Sequence, residues 1–182
     1  MNNRMSLQTR EWVRSAFLEL LDEVEDIKSI TISDISKRSG ISRRTFYRYY
    51  ASKEDILTEY IDILIEQYGN DLRSKKLANF KEFIVYFFNY WGQYDHELFI
   101  LQKNGLFTYV LSEFNKMIPE LYATVSAPWH IQKEVNSREI IYTTRYGVGG
   151  LWNVYGEWLE FDREKIEITE VAKILIQSFN SL

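Results

Sequence analysis

Apolar residues recur at three- and four-residue spacing along almost all of this 182-residue chain, and only two prolines, Pro119 and Pro128, interrupt the rhythm. That period is the period of an α-helix with one face turned to a core, and no run alternates with period two as a half-buried strand would. The chain therefore reads as all-α. The spacing predicts helices over about 9–24, 31–39, 42–50, 52–73, 79–94, 97–104, 106–118, 136–159 and 168–181, with the two prolines in an irregular link between the seventh and eighth. In the first helix Trp12, Val13, Ala16, Phe17, Leu20, Leu21 and Val24 form the apolar stripe.

With 46% hydrophobic and 16% aromatic residues the chain can bury a substantial core, and disorder is excluded. It holds no cysteine, so disulfides and thiolate metal sites are excluded as well. The segment Met1–Arg10 lacks the apolar run of a signal peptide, and no stretch reaches the roughly 18 apolar residues of a membrane span. A soluble, cytoplasmic protein is expected.

The formal charge of −4 speaks against a polyanionic partner until its distribution is examined. From Lys37 to Lys53 there are six basic residues (Lys37, Arg38, Arg43, Arg44, Arg48 and Lys53) and no acidic one. A local basic patch on an otherwise acidic chain is the electrostatic footprint of a nucleic-acid-reading module joined to something else. The same segment has the local chemistry of a helix-turn-helix. Thr31 or Ser33 caps a short helix, Gly40 supplies the left-handed residue that a sharp reversal needs, Ser42 caps the next helix and Ser52 the one after. Ile35, Ile41, Phe46 and Tyr50 point inward and lock the helices together. Arg43, Arg44, Thr45, Tyr47, Arg48 and Tyr49 are left for the outward or phosphate-facing side. Arginine forks onto guanine O6 and N7, threonine meets a thymine methyl, and tyrosine and lysine reach phosphate oxygens.

The stretch ITISDISKRSGISRRTFYRYYASKEDIL resembles the DNA-binding region of the tetracycline-repressor (TetR) family. The likeness is carried by Thr31, Asp34-Ile35, Gly40-Ile41-Ser42, Tyr47-Arg48-Tyr49-Tyr50 and Ser52-Lys53-Glu54. Tyr49 stands where histidine is common in the family, and Ser36 where alanine is common. The segment GVGGLWNVYGEWLEFD with Ile168–Leu182 resembles the C-terminal region of a branch of that family common in low-GC Gram-positive bacteria. The resemblance implies about nine helices, divided into a DNA-binding domain at 1–51 and a ligand-binding and dimerisation domain at 52–182. It further implies a homodimer through the last two helices. It assigns Tyr47 and Lys53 to phosphate, Thr31 and Ser42 to helix ends near the backbone, and Arg44, Thr45 and Arg48 to base edges.

The function expected is that of a transcriptional regulator, most often a repressor in this family, which binds an inverted-repeat operator and answers to a small-molecule effector. The alternative is a coregulator or activator of the same fold controlled by a protein partner; a cavity of ligand size in the C-terminal bundle would separate the two. Candidates to line such a cavity are Phe87, Trp91, Phe107, Tyr146 and Trp152. Candidates for the dimer face are Gly147, Gly150, Val154, Ile174 and Phe179, because glycine weakens a helix unless another helix approaches it closely. A dinucleotide site at these glycines would need a strand-helix-strand unit, which is absent. His96 and His130 are the only histidines, and His96 has carboxylates only at adjacent positions, so no metal is expected. No catalytic constellation and no cofactor-binding motif is found, and no enzyme activity or cofactor is expected.

Overall fold

The computed structural model describes residues 2–125, 127–130, 134–135 and 137–179, without the side chains of 2–5 and 179. Among the described residues the chain forms nine α-helices, the third a single turn. They are α1 (Asn2–Glu23), α2 (Ile32–Arg38), α3 (Arg43–Phe46), α4 (Lys53–Ser74), α5 (Phe80–Trp91), α6 (Asp95–Lys103), α7 (Phe107–Thr124), α8 (Arg138–Glu157) and α9 (Ile168–Phe179). No helix of the described residues is long and apolar enough to cross a membrane.

The N-terminal unit is α1 packed on α2 and α4, with α3 against α2; α6 touches α1 from the other side. Val13, Phe17 and Leu21 of α1 meet Ile35, Phe46 and Ile56 in one core in which each is fully buried. The bundle is built from α4 on α7, α7 on α8, and α5 on α9. Its centre is aromatic: Trp91 and Trp152 lie 4.9 Å apart between ring centroids, and Tyr68, Phe87 and Phe114 surround them. Edge-on and tilted ring pairs of this kind bury the most apolar area per residue while avoiding face-to-face repulsion.

Three local departures from the sequence expectation have physical causes. Helix α1 begins at Asn2, seven residues earlier than the apolar stripe indicates; Leu7, in that first part, is exposed and so adds nothing to the stripe. Trp12, placed in the stripe, instead stands 52% exposed beside Glu19 and Arg38. Helix α7 runs straight through Pro119 to Thr124. Proline removes the amide that would bond the carbonyl of Asn115, and the guanidinium of Arg145 on α8 donates to that carbonyl instead. The helix thus keeps its backbone satisfied through a tertiary contact.

At the C-terminal end of α8 the chain widens into a π-turn over Trp158–Asp162, where the Trp158 indole donates to the Ile166 carbonyl at 2.9 Å. The glycines that need to be glycine are elsewhere than the 147–150 cluster. A Cβ on Gly156 would stand 2.9 Å from a Phe107 ring carbon, and one on Gly92 would stand 2.9 Å from Ile168 Cγ2. Added at Gly147, Gly149 or Gly150 it would meet nothing within 4 Å.

Candidate nucleic-acid interface

The helix-turn-helix is assembled from caps outward. Thr31 Oγ1 accepts the Asp34 amide at 3.2 Å, and the Asp34 carboxylate accepts the Thr31 amide at 3.0 Å, a reciprocal capping box that starts α2. The bonds from the Thr31 hydroxyl and amide hold the Asp34 carboxyl below its ordinary value. The helix ends in a reversal in which Gly40 adopts φ +69° and the Ile41 amide donates back to the Ser36 carbonyl at 3.0 Å. Ser42 Oγ then accepts the Thr45 amide at 3.1 Å and opens α3.

Only Arg43–Phe46 is α-helical here; the expected helix to Tyr50 continues as tight turns, with the Arg48 amide on Thr45 and the Tyr49 and Tyr50 amides on Phe46. Phe46 and Tyr50 hold this element to the core, 0% and 3% exposed, while Ile41 is half-buried. The Tyr50 hydroxyl donates to Glu59 of α4, and the same carboxylate accepts from Arg10 of α1. One carboxylate therefore braces three elements at the C-terminal edge of the reading segment. Burial pushes the Tyr50 phenol up, so it stays the donor.

Arg43, Arg44, Tyr47 and Arg48 stand exposed on the outer side, with Thr45 half-buried and its hydroxyl 3.0 Å from that of Ser42. Tyr49 is half-buried, its ring covered by the Arg48 guanidinium at 4.8 Å and by that of Arg10 at 5.6 Å. Two of the six basic residues are committed within the fold. Arg38 makes a forked ion pair with Glu23 at 2.8 and 2.9 Å. The Lys53 ammonium donates to the carbonyls of Ile27 and Ile30 at 2.6 and 2.7 Å, tying the start of α4 to the segment before α2. Nothing in its position within the basic run signals this, because the two carbonyls lie more than twenty residues upstream. A compact face of Arg43, Arg44, Tyr47 and Arg48, backed by a rigid capped frame, is suited to enter a groove and meet base edges and phosphates together.

The bundle encloses a second feature, a half-open cavity of about 310 Å³ bounded by α4, α5, α7, α8, α9 and by Val125, Trp129 and His130. Of the residues expected to line a ligand site, Tyr146 does. Phe107 and Trp152 border a separate cleft of about 250 Å³, and Phe87 and Trp91 are buried in the aromatic core. Of those expected on a dimer face, Gly147, Gly150 and Val154 line the cavity and Ile174 is 54% exposed on α9. Phe179 closes α9, but its side chain lies outside the described part. Residues that sequence reasoning did not single out for the cavity include Tyr68, Phe83, Trp129 and His130. Tyr68 shares the apolar stripe of α4 with another tyrosine, Tyr60, so its hydroxyl gave no signal of its own. Among the described residues no group of three or more histidines and carboxylates could hold a metal.

The profile of the bacterial regulatory proteins of the tetR family matches residues 23–60, which contain the whole capped frame. The chain is 48% identical over 59 residues, 32% of its length, to the uncharacterized HTH-type transcriptional regulator YxbF of Bacillus subtilis (strain 168). It is 41% identical over 64 residues to the HTH-type transcriptional regulator EthR of Mycolicibacterium smegmatis, a match covering 35% of this chain. These matches span 16% and 30% of the two relatives, so the likeness is confined to one segment of each. A tetR-family transcriptional regulator from Streptomyces coelicolor has a similar fold, with a TM-score of 0.57 at 14% identity over 94% of this chain and 81% of that one.

Proposed function

We propose that the chain, whose residues 23–60 match the profile of the bacterial regulatory proteins of the tetR family, is a sequence-specific transcriptional regulator of that family, a repressor, that binds an inverted-repeat operator as a homodimer and is released by a small-molecule effector. The observation that carries the DNA-reading part is the exposed face of Arg43, Arg44, Tyr47 and Arg48 on a segment whose every helix start is capped. Two such faces in a dimer meet successive major grooves only when they are about 34 Å apart, or at the repeat that the operator sets.

The cavity supports an effector over a protein partner as the signal. It shares Gly147, Gly150 and Val154 with the expected dimer face, so a molecule seated there touches the surface that a second copy would cover. A ligand that binds one relative arrangement of the two copies better than the other shifts the spacing of the reading heads, and lowers operator affinity by that difference in binding free energy. The open space over Gly147, Gly149 and Gly150 is compatible with close approach of a helix from outside the chain.

The test is capture of genomic fragments by the purified protein, followed by titration of the best fragment and a scrambled copy at several salt concentrations. A short inverted repeat bound by two chains, at least about a thousandfold tighter than the scrambled fragment, is the expected result. Equal affinity for both, set only by salt, would reject sequence-specific regulation.

A further inference from the structure

Taking the cavity of the bundle as the effector site, as proposed above, its lining says what chemistry it can receive. None of the nineteen described residues around it is Asp, Glu, Lys or Arg. His130 is the only titratable base among them, and burial lowers its pKa from the ordinary value, so it is a neutral ring near pH 7. That ring is stacked on Tyr122 at 3.8 Å, and its Nδ1 lies 2.9 Å from the Val125 carbonyl. The Thr144 hydroxyl is committed to the Ile140 carbonyl at 2.8 Å.

Tyr68 differs from these. It is 1% exposed and lines the cavity, and its hydroxyl takes no part in the bonds that hold His130 and Thr144. A hydroxyl in the wall of an apolar cavity gains a partner there when a ligand brings an acceptor. Burial also pushes this phenol far up, so it remains a neutral donor. The space is too small for a helix of another protein and lies at the lower end of the range for small-molecule sites.

We propose that the cavity binds an uncharged, largely apolar or aromatic small molecule bearing one hydrogen-bond acceptor, which the Tyr68 hydroxyl engages. A carboxylate or ammonium would have to shed its water among described side chains that offer no countercharge, which is strongly unfavourable.

Three probes of matched shape separate the elements of this proposal: benzophenone, which has a carbonyl acceptor; diphenylmethane, which lacks it; and 4-benzoylbenzoate, which adds a charge. Binding to the intact protein is followed by equilibrium dialysis and by quenching of tryptophan fluorescence, since Trp129 lines the site. Benzophenone is expected to bind about three- to tenfold more tightly than diphenylmethane, with 4-benzoylbenzoate at least about tenfold weaker than benzophenone. In Tyr68→Phe the preference for benzophenone over diphenylmethane should vanish, while the ligand-free protein melts close to the parent, because the ring that packs in the core is kept. Thr143→Trp, an exposed position at the rim, should block both neutral probes.

Equal binding of the two neutral probes to the parent would overturn the role of Tyr68. A charged probe bound as well as its neutral parent would overturn the chemical class. Uptake of all three that never saturates and ignores Thr143→Trp would reject the cavity as a site, and leave binding to the operator, measured separately, untouched.

Discussion

Glu59 is where the reading segment is tied to the rest of the protein, and its removal has a cost that can be worked out group by group. The carboxylate accepts from the Tyr50 hydroxyl, which is in a residue 3% exposed, and from Arg10, whose side chain is 39% exposed; Arg14 stands farther off at 4.0 Å. In Glu59→Ala the buried hydroxyl is stranded, which costs about 1–3 kcal/mol. The half-exposed ion pair adds no more than about 1 kcal/mol, since water screens it. A total loss of about 1–4 kcal/mol follows. Tyr50→Phe removes the donor together with the need for a partner, so it loses only the net bond, about 0.5–1.5 kcal/mol. The double variant should therefore be less destabilised than the sum of the two by about 1 kcal/mol. Urea unfolding followed by tryptophan fluorescence, at one fixed protein concentration because association feeds into apparent stability, gives all four corners of the cycle. Additivity within about 0.3 kcal/mol would refute the brace. If the brace is real, both single variants also lower operator affinity, because the turn that carries Arg48 and Tyr49 is no longer pinned.

The two classes of glycine in α8 should respond in opposite directions. Gly156→Ala forces a Cβ to 2.9 Å from the Phe107 ring and is expected to destabilise by about 1–3 kcal/mol. Gly149→Ala, which meets nothing within 4 Å, should stabilise the single chain by up to about 1 kcal/mol and weaken self-association in sedimentation equilibrium; unchanged association would argue against a helix crossing there. Arg44→Ala and Arg48→Ala should each cost about 1–3 kcal/mol at the cognate operator and relax base preference. Lys53→Ala should leave the salt slope nearly unchanged, because its ammonium holds the Ile27 and Ile30 carbonyls, and that variant alone of the three should lower the melting temperature. Burial, with Glu113 close by, raises the Asp62 carboxyl above its ordinary value. The folded state then takes up this proton more readily than the unfolded one, so the cost of ionised Asp62 fades as pH falls through the raised value. Asp62→Asn should accordingly raise the urea midpoint near pH 7 and erase that part of the stability-pH curve just above about pH 4. Backbone bonds hold Asp55 in the opposite direction, so its contribution is present above the ordinary carboxylate value and is lost only in more acidic solution.

The all-helical architecture and the frame of the reading segment were legible along the chain because both rest on short-range physics. Helical period, the Thr31, Ser42 and Ser52 caps, and the positive φ at Gly40 depend on residues no more than a few positions apart, and a sequence displays these directly. The basic run likewise announced a face for DNA. What it left open was which of its cations face outward, since Arg38 finds Glu23 and Lys53 finds two carbonyls only when distant segments come together. Proline at 119 reads locally as a helix stop, and only the arrival of Arg145 from the next helix lets α7 continue. The cavity belongs entirely to this second kind of information. Aromatic residues are equally abundant in the core and around the cavity, and helical spacing gives the same signature to both. Which of them pack against one another, as Phe87 and Trp91 do, and which border empty space, as Tyr68 and Phe83 do, is decided by the mutual placement of five helices, a property of the tertiary structure alone.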